Sequence, residues 1–210
     1  MTHLRTARQF DALEALRSRL VSQSPARQRR HRSDNEGHYG AWLARNFPEE
    51  PALQTLAEEM VAHASNHSNL TMSMLSAALR LGGGWRIGES SPLSPDHSPL
   101  SADQVEWALE RLFEWTGDEA FRELHPIEQT ALSQARLLEI LPFSRLNVPL
   151  AGALSSFWLL TAGFVFPVWE HSQPGKYLEY LDAAFRLEMQ PLVDHLLLGE
   201  RRALEALVGA

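Results

Sequence analysis

The chain has 210 residues, 44% hydrophobic and 21% charged, which suits one or two domains with a substantial core and excludes disorder as the main state. It has no cysteine, which removes disulfide frameworks, thiolate nucleophiles and cysteine zinc sites, and no apolar run of the roughly 18 residues a membrane span needs. A net charge of −7 disfavours binding of nucleic acid by the molecule as a whole, because phosphate affinity rests on Lys and Arg.

Helical periodicity dominates the chain. Phe10, Leu13, Leu16 and Leu20 define an amphipathic helix over about 6–21. The polar, arginine-rich stretch 22–35 with Pro25 is expected to be a linker, dividing an N-terminal unit (1–35) from a helical domain (36–210). Further helices are predicted over 39–45, 51–65 and 69–81, the last stopped by Gly82, Gly83 and Gly84. Trp85, Arg86 and Ile87 alternate briefly and suggest a short strand, and Pro92, Pro95 and Pro99 then make 90–101 a loop. A cap at Ser101 opens a helix to about Thr116 that carries Trp107 and Trp115, expected as core residues with Trp158. His125-Pro126 opens another helix, stopped by Pro142. Pro149 starts a very apolar helix ending at Gly163, and helices over 175–189 and 191–207 complete an all-α fold of about eight helices with at most a hairpin of strand.

From Trp85 to Leu198 the order of landmarks resembles the Fic (Fic/Doc) family. These are a short segment at Gly84 to Gly88, a Pro-rich turn, a helix starting at His125-Pro126, the run Leu141 to Gly152, an apolar helix, and Tyr177-Leu178-Glu179-Tyr180-Leu181. The resemblance implies a single all-α Fic-like helical domain with a short β-hairpin flap at Trp85, Arg86 and Ile87. It also implies that 141–152 lies on the family's loop pattern HPFxxGNGRxxR. In active members the histidine is the general base, an acidic residue binds Mg²⁺, the Gly-Asn-Gly amides cradle phosphates and two arginines contact them.

On that alignment the histidine position holds Leu141, the acidic position Ser144, the two glycines Leu146 and Val148, and the two arginines Pro149 and Gly152. Only Pro142, Phe143 and Asn147 match. The positive φ and close backbone approach that glycine permits are therefore expected to be lost, and Asn147 is expected to cap the next helix. A general base alone is worth about 10² to 10⁴ in rate. The expectation is a degenerate loop without catalytic residues, metal or cofactor. It belongs to a binding or regulatory module whose partner is a protein, with Arg145 and Asn147 as candidate anion contacts and the flap as a candidate peptide edge. The alternative is a variant transferase that uses a phosphate-containing donor, with His97 or His125 as an unorthodox base. Nucleotide binding is not expected.

Other patterns carry less. Ser33 to Gly37 differs by one position from the family's inhibitory signature, and His63 with His67 has helical metal-ligand spacing without a third ligand. Trp85 and Trp169 border loops and are candidate ligand contacts. Residues 1–32 hold eight arginines against Asp11 and Glu14, and the remainder carries 11 basic and 24 acidic residues. Arg27, Arg29, Arg30 and Arg32 could thus meet a nucleic acid or the chain's own acidic body. A homo-oligomer is left open, and without an apolar leader near Met1 the cytoplasm is the expected location.

Overall fold

A computed structural model describes residues 2–50, 52–66, 70–71, 74–167 and 174–209. Helix α1 (Thr2–Val21) buries Leu13 and Leu20 and lies along α11 (Gln190–Val208). The expected linker is instead the start of a second helix, α2 (Pro25–Asn46). Ser24 caps it, accepting from the Arg27 N–H, and Pro25 sits in the first turn, where its missing N–H is no loss. The boundary at 35/36 falls inside this helix, and Asn35, Tyr39 and Leu43, one helical face, are its buried residues beside Gly40. Gln28 reaches back to the carbonyls of Val21 and Gln23, so only a tight turn separates α1 from α2.

Helices α3 (Ala52–Asn66) and α4 (Leu75–Leu81) follow, α3 packing on α2 through Leu53, Leu56 and Met60. A single 3₁₀ turn, Ala102–Gln104, leads into α5 (Val105–Gly117), and α6 (Glu119–Arg122) adds one turn. Phe121 sits edge-on to the buried Trp158, as expected of a core indole, and also to Trp115, which is 36% exposed and only partly in the core. Trp107 departs from that expectation: it is 56% exposed.

The central element is α7 (Pro126–Ile140), which touches α5, α8, α9, α10 and α11. Three of its buried polar residues bond to nearby carbonyls. Thr130 and Ser133 donate to carbonyls four residues back, and Gln129 donates to Phe121 and Arg122. The apolar helix expected from Pro149 is two helices, α8 (Asn147–Ser155) and α9 (Phe157–Thr161). Where they meet, the hydroxyls of Ser155 and Ser156 both donate to the Gly152 carbonyl, which also accepts the Ser156 N–H. Gly163, at φ 83°, ends α9, and α10 (Pro174–Phe185) packs beside α11.

Among the described residues no β-hairpin forms, and the expected flap reduces to one antiparallel bridge, Trp85 to Phe143. No helix among them is long and apolar enough to cross a membrane.

Candidate functional site: a clasped loop between α7 and α8

Helix α7 ends at Leu141, which takes the left-handed conformation (φ 48°) and is 1% exposed. Leucine pays for that conformation with strain, and its side chain is held in the core. Leu146 is likewise left-handed, at φ 59°. The expectation that a positive φ is lost with glycine is thus corrected at 146, where the loop keeps the backbone turn and carries a Cβ in it. At Val148 the chain is already helical. Pro149 and Gly152 are buried inside α8.

The segment before the loop is zipped onto it. Arg86 N–H donates to Pro142 O at 2.9 Å, Ser144 N–H to Gly84 O at 3.2 Å, and Arg145 N–H to Gly82 O at 3.0 Å. The Ser144 hydroxyl donates to Trp85 O at 3.0 Å, and the Trp85 and Phe143 rings lie parallel with centroids 6.4 Å apart. Asn147 closes the other side, accepting from Phe143 N–H at 2.9 Å and donating to Phe143 O at 2.8 Å. Asn147 is therefore a brace across the loop; the N-cap of α8 is Leu146, which offers no side-chain bond. The amides of Phe143, Ser144 and Arg145 all have internal acceptors.

Arg86 is the clasp. It is 6% exposed and its guanidinium donates to four carbonyls: Leu141 at 2.9 Å, Ile140 at 3.2 Å, Gly88 at 2.8 Å and Leu100 at 2.6 Å. Two of these are the terminal carbonyls of α7, where a cation is favoured by the helix dipole. The open peptide edge expected at Trp85 to Ile87 is thus corrected: Arg86 is interior, its N–H is spent on Pro142, and Ile87 alone, 94% exposed, stands out at the tip. Arg145, expected as a counter-charge for an anion, is ion-paired with Glu50.

Neither unorthodox base is open to substrate. His97, 4% exposed, accepts the Leu93 N–H at Nδ1 (2.9 Å) and donates from Nε2 to Glu139 O (3.2 Å). His125 caps α7, its Nδ1 accepting the Ile127 N–H while Glu128 accepts its own N–H. Its Nε2 faces Glu14 at 3.4 Å and its ring stacks on Phe10 at 4.0 Å. Burial holds both histidines below the ordinary imidazole range.

Glu36, from the signature-like segment, lines a cleft with Val61, Ala64, Ser65 and Leu160, away from the loop. His67 and Trp169 lie outside the described residues, and no cluster of three or more His, Asp or Glu among the described residues is placed to hold a metal. Sequence reasoning missed Glu50, Asn35 and Glu200. Asn35 pairs with both the N–H and the carbonyl of Phe166, at 2.8 and 3.0 Å. Glu200 is fully buried, accepts the Val165 N–H at 3.0 Å, and is pushed up to about 8 by burial. A polar residue four before an aromatic on a helix marks Asn35 in retrospect; nothing local marks the other two.

An all-helical domain in which a central helix ends in a left-handed residue, turns through a short loop and re-enters as a second buried helix is the class that fold and loop define. No family model matches the chain. A stretch of 98 residues, 47% of this chain, is 31% identical to the protein adenylyltransferase Fic of Nematostella vectensis and spans 23% of that protein's length. The fold is shared with a Fic domain containing signaling protein from Bacteroides thetaiotaomicron, with a TM-score of 0.74, 19% identity and 95% of both chains covered. It is shared as well with Fic-1 from C. elegans, with a TM-score of 0.76, 16% identity, and 99% of this chain and 72% of that one covered. The chain thus has the fold of Fic-domain proteins and, over that stretch of 98 residues, is similar in sequence to one of them.

Proposed function

We propose that this Fic-domain chain does not carry out standard adenylyl transfer and acts as a binding or regulatory module. The observation that carries the reading is the buried Leu141 at the base position, on a loop clasped through the amides of Phe143, Ser144 and Arg145, which bond to Asn147, Gly84 and Gly82. The side chains agree. Leu141 at the base position cannot take a proton and is buried. Arg145 is neutralised by Glu50. Losing the base and the free charge of the loop's arginine together removes large contributions to transfer chemistry.

The Mg²⁺ that the family implies does not fit these residues. A hard divalent cation takes anionic oxygens, whereas Ser144 offers a neutral hydroxyl whose proton is directed at the Trp85 carbonyl.

The test is calorimetric titration of the purified chain with ATP and Mg²⁺, followed by intact-mass analysis of acceptor proteins incubated with both. No binding heat and no adenylyl adduct are expected. Saturable binding with adduct formation that Arg145→Ala abolishes would replace this reading with that of a variant transferase.

A further inference from the structure

Helix α5 buries Val105, Ala108, Leu109 and Leu112 and turns Trp107 outward, with Trp115 36% exposed eight positions on. At 1.5 Å per residue the two indoles are about 12 Å apart along the helix. Scattered exposed apolar residues are ordinary, but here two indoles stand out from one helix. Around it Asp103, Glu106, Glu110, Asp118, Glu119 and Glu123 are exposed and make no ion pair among the described residues, whereas Glu114 is bound by Arg111.

The complementary surface is on the same chain. The opening turns of α2 expose Arg27 and Arg29, which make no ion pair among the described residues, and Arg30, 83% exposed, which holds Asp34 loosely at 3.9 Å. Within one molecule α2 packs on α3 and α11, and α5 on α6 and α7. The positive N-terminal segment therefore does not neutralise the acidic helix of its own molecule. Guanidinium groups match both halves of the α5 face, pairing with carboxylates and stacking on indoles.

We propose that the occupant of the α5 face is a second copy of this chain, which docks the arginines at the start of its α2 against Trp107 and the neighbouring carboxylates. Because the two patches lie on different elements, the contact is head to tail, and assembly continues beyond a pair unless the ring closes.

Sedimentation of the whole chain over a range of concentrations tests this. Its average mass should rise with concentration at about 0.1 M salt and return to the monomer at about 1 M, where the Debye length is ~3 Å. The double variants Glu106→Arg/Glu110→Arg and Arg27→Glu/Arg29→Glu should each weaken self-association by about tenfold or more. An equal mixture of the two should associate again, since each then offers the charge the other needs. Circular dichroism checks that the variants, all at exposed helical positions, stay folded. A monomeric wild type, association indifferent to either reversal, or failure of the mixture to reassociate overturns the proposal. So does a monomer that uses these arginines for salt-sensitive binding of duplex DNA.

Discussion

Gly82 and Phe143 approach so closely that a Cβ on residue 82 would lie 2.7 Å from the Phe143 Cβ and 2.9 Å from its Cγ. That contact lets the segment 82–86 lie against the loop at bonding distance, and Gly82 needs it at an ordinary φ of −73°, so space and not backbone freedom demands glycine. Gly83 and Gly84 next to it have φ of 75° and 87° and supply the turn.

Gly82→Ala should therefore overpack the clasp and cost about 1–3 kcal/mol. Urea unfolding measures the loss, and hydrogen exchange at the Ser144 and Arg145 amides should quicken with it. Gly117, at the end of α5 with nothing near its would-be Cβ, is the control. Its replacement by alanine should leave stability within about 1 kcal/mol of wild type. Equal losses at the two sites would remove the steric account.

Arg86→Ala should be among the most damaging single changes. It strands buried carbonyls of Ile140 and Leu141, and an unmet buried acceptor costs about 1–3 kcal/mol. Arg86→Lys should recover less than half of the loss, because an ammonium cannot span four carbonyls in a plane as the fork does. Chemical denaturation of both variants decides it; full recovery by lysine would mean that charge alone matters.

Asn35→Ala removes both bonds to Phe166, from α2 to the run after α9, and should cost about 1–3 kcal/mol. Asn35→Asp keeps the acceptor for the Phe166 N–H but loses the donor to its carbonyl, so it should be as harmful or more so at neutral pH. Thermal melting of the two variants provides the comparison. Retained stability in the aspartate variant would show that one bond suffices.

The pH profile of stability should reflect two opposed groups. Burial, first among the causes, lowers His97, His125 and His195 in the folded state, so their contribution is whole above the unfolded imidazole value of about 6.5 and is lost as pH falls through the folded values. For His125 the loss has a visible cause, since a proton on Nδ1 removes the acceptor that caps α7. Glu200 has the opposite sign. Raised to about 8 by burial, it contributes fully below the unfolded carboxyl value of about 4.3, and that contribution falls as pH rises through 8. Glu200→Gln retains the acceptor for Val165. Its melting temperature should gain on wild type as pH increases, levelling off above pH of about 8. A constant difference at every pH would mean that Glu200 does not titrate in this window.

Helix identity was legible wherever burial follows a short period: Leu53, Leu56 and Met60 in α3, or the run through α7, announce themselves. The reading failed in α2, where Arg27, Arg29 and Arg30 face solvent and the buried stripe rests on Asn35, Tyr39, Gly40 and Leu43, too polar and too small to look like a core face. It failed also at Ser156, where α8 gives way to α9 within a run that is apolar on both sides and leaves no trace in hydropathy.

The order of residues determined an all-helical chain, the punctuation by Gly82 to Gly84, Pro142 and Gly163, and which side chains stand along 141–152. These are local properties: conformational preference, missing donors, and side chains that can or cannot hold a proton. Which groups meet was decided only by the tertiary structure. Arg86 is 54 residues from Ile140, Arg145 is 95 from Glu50 and Glu200 is 35 from Val165. A single chain's composition says nothing about such pairings. They arise because helix packing brings distant backbone carbonyls, amides and charges together, and each buried one must find a partner there.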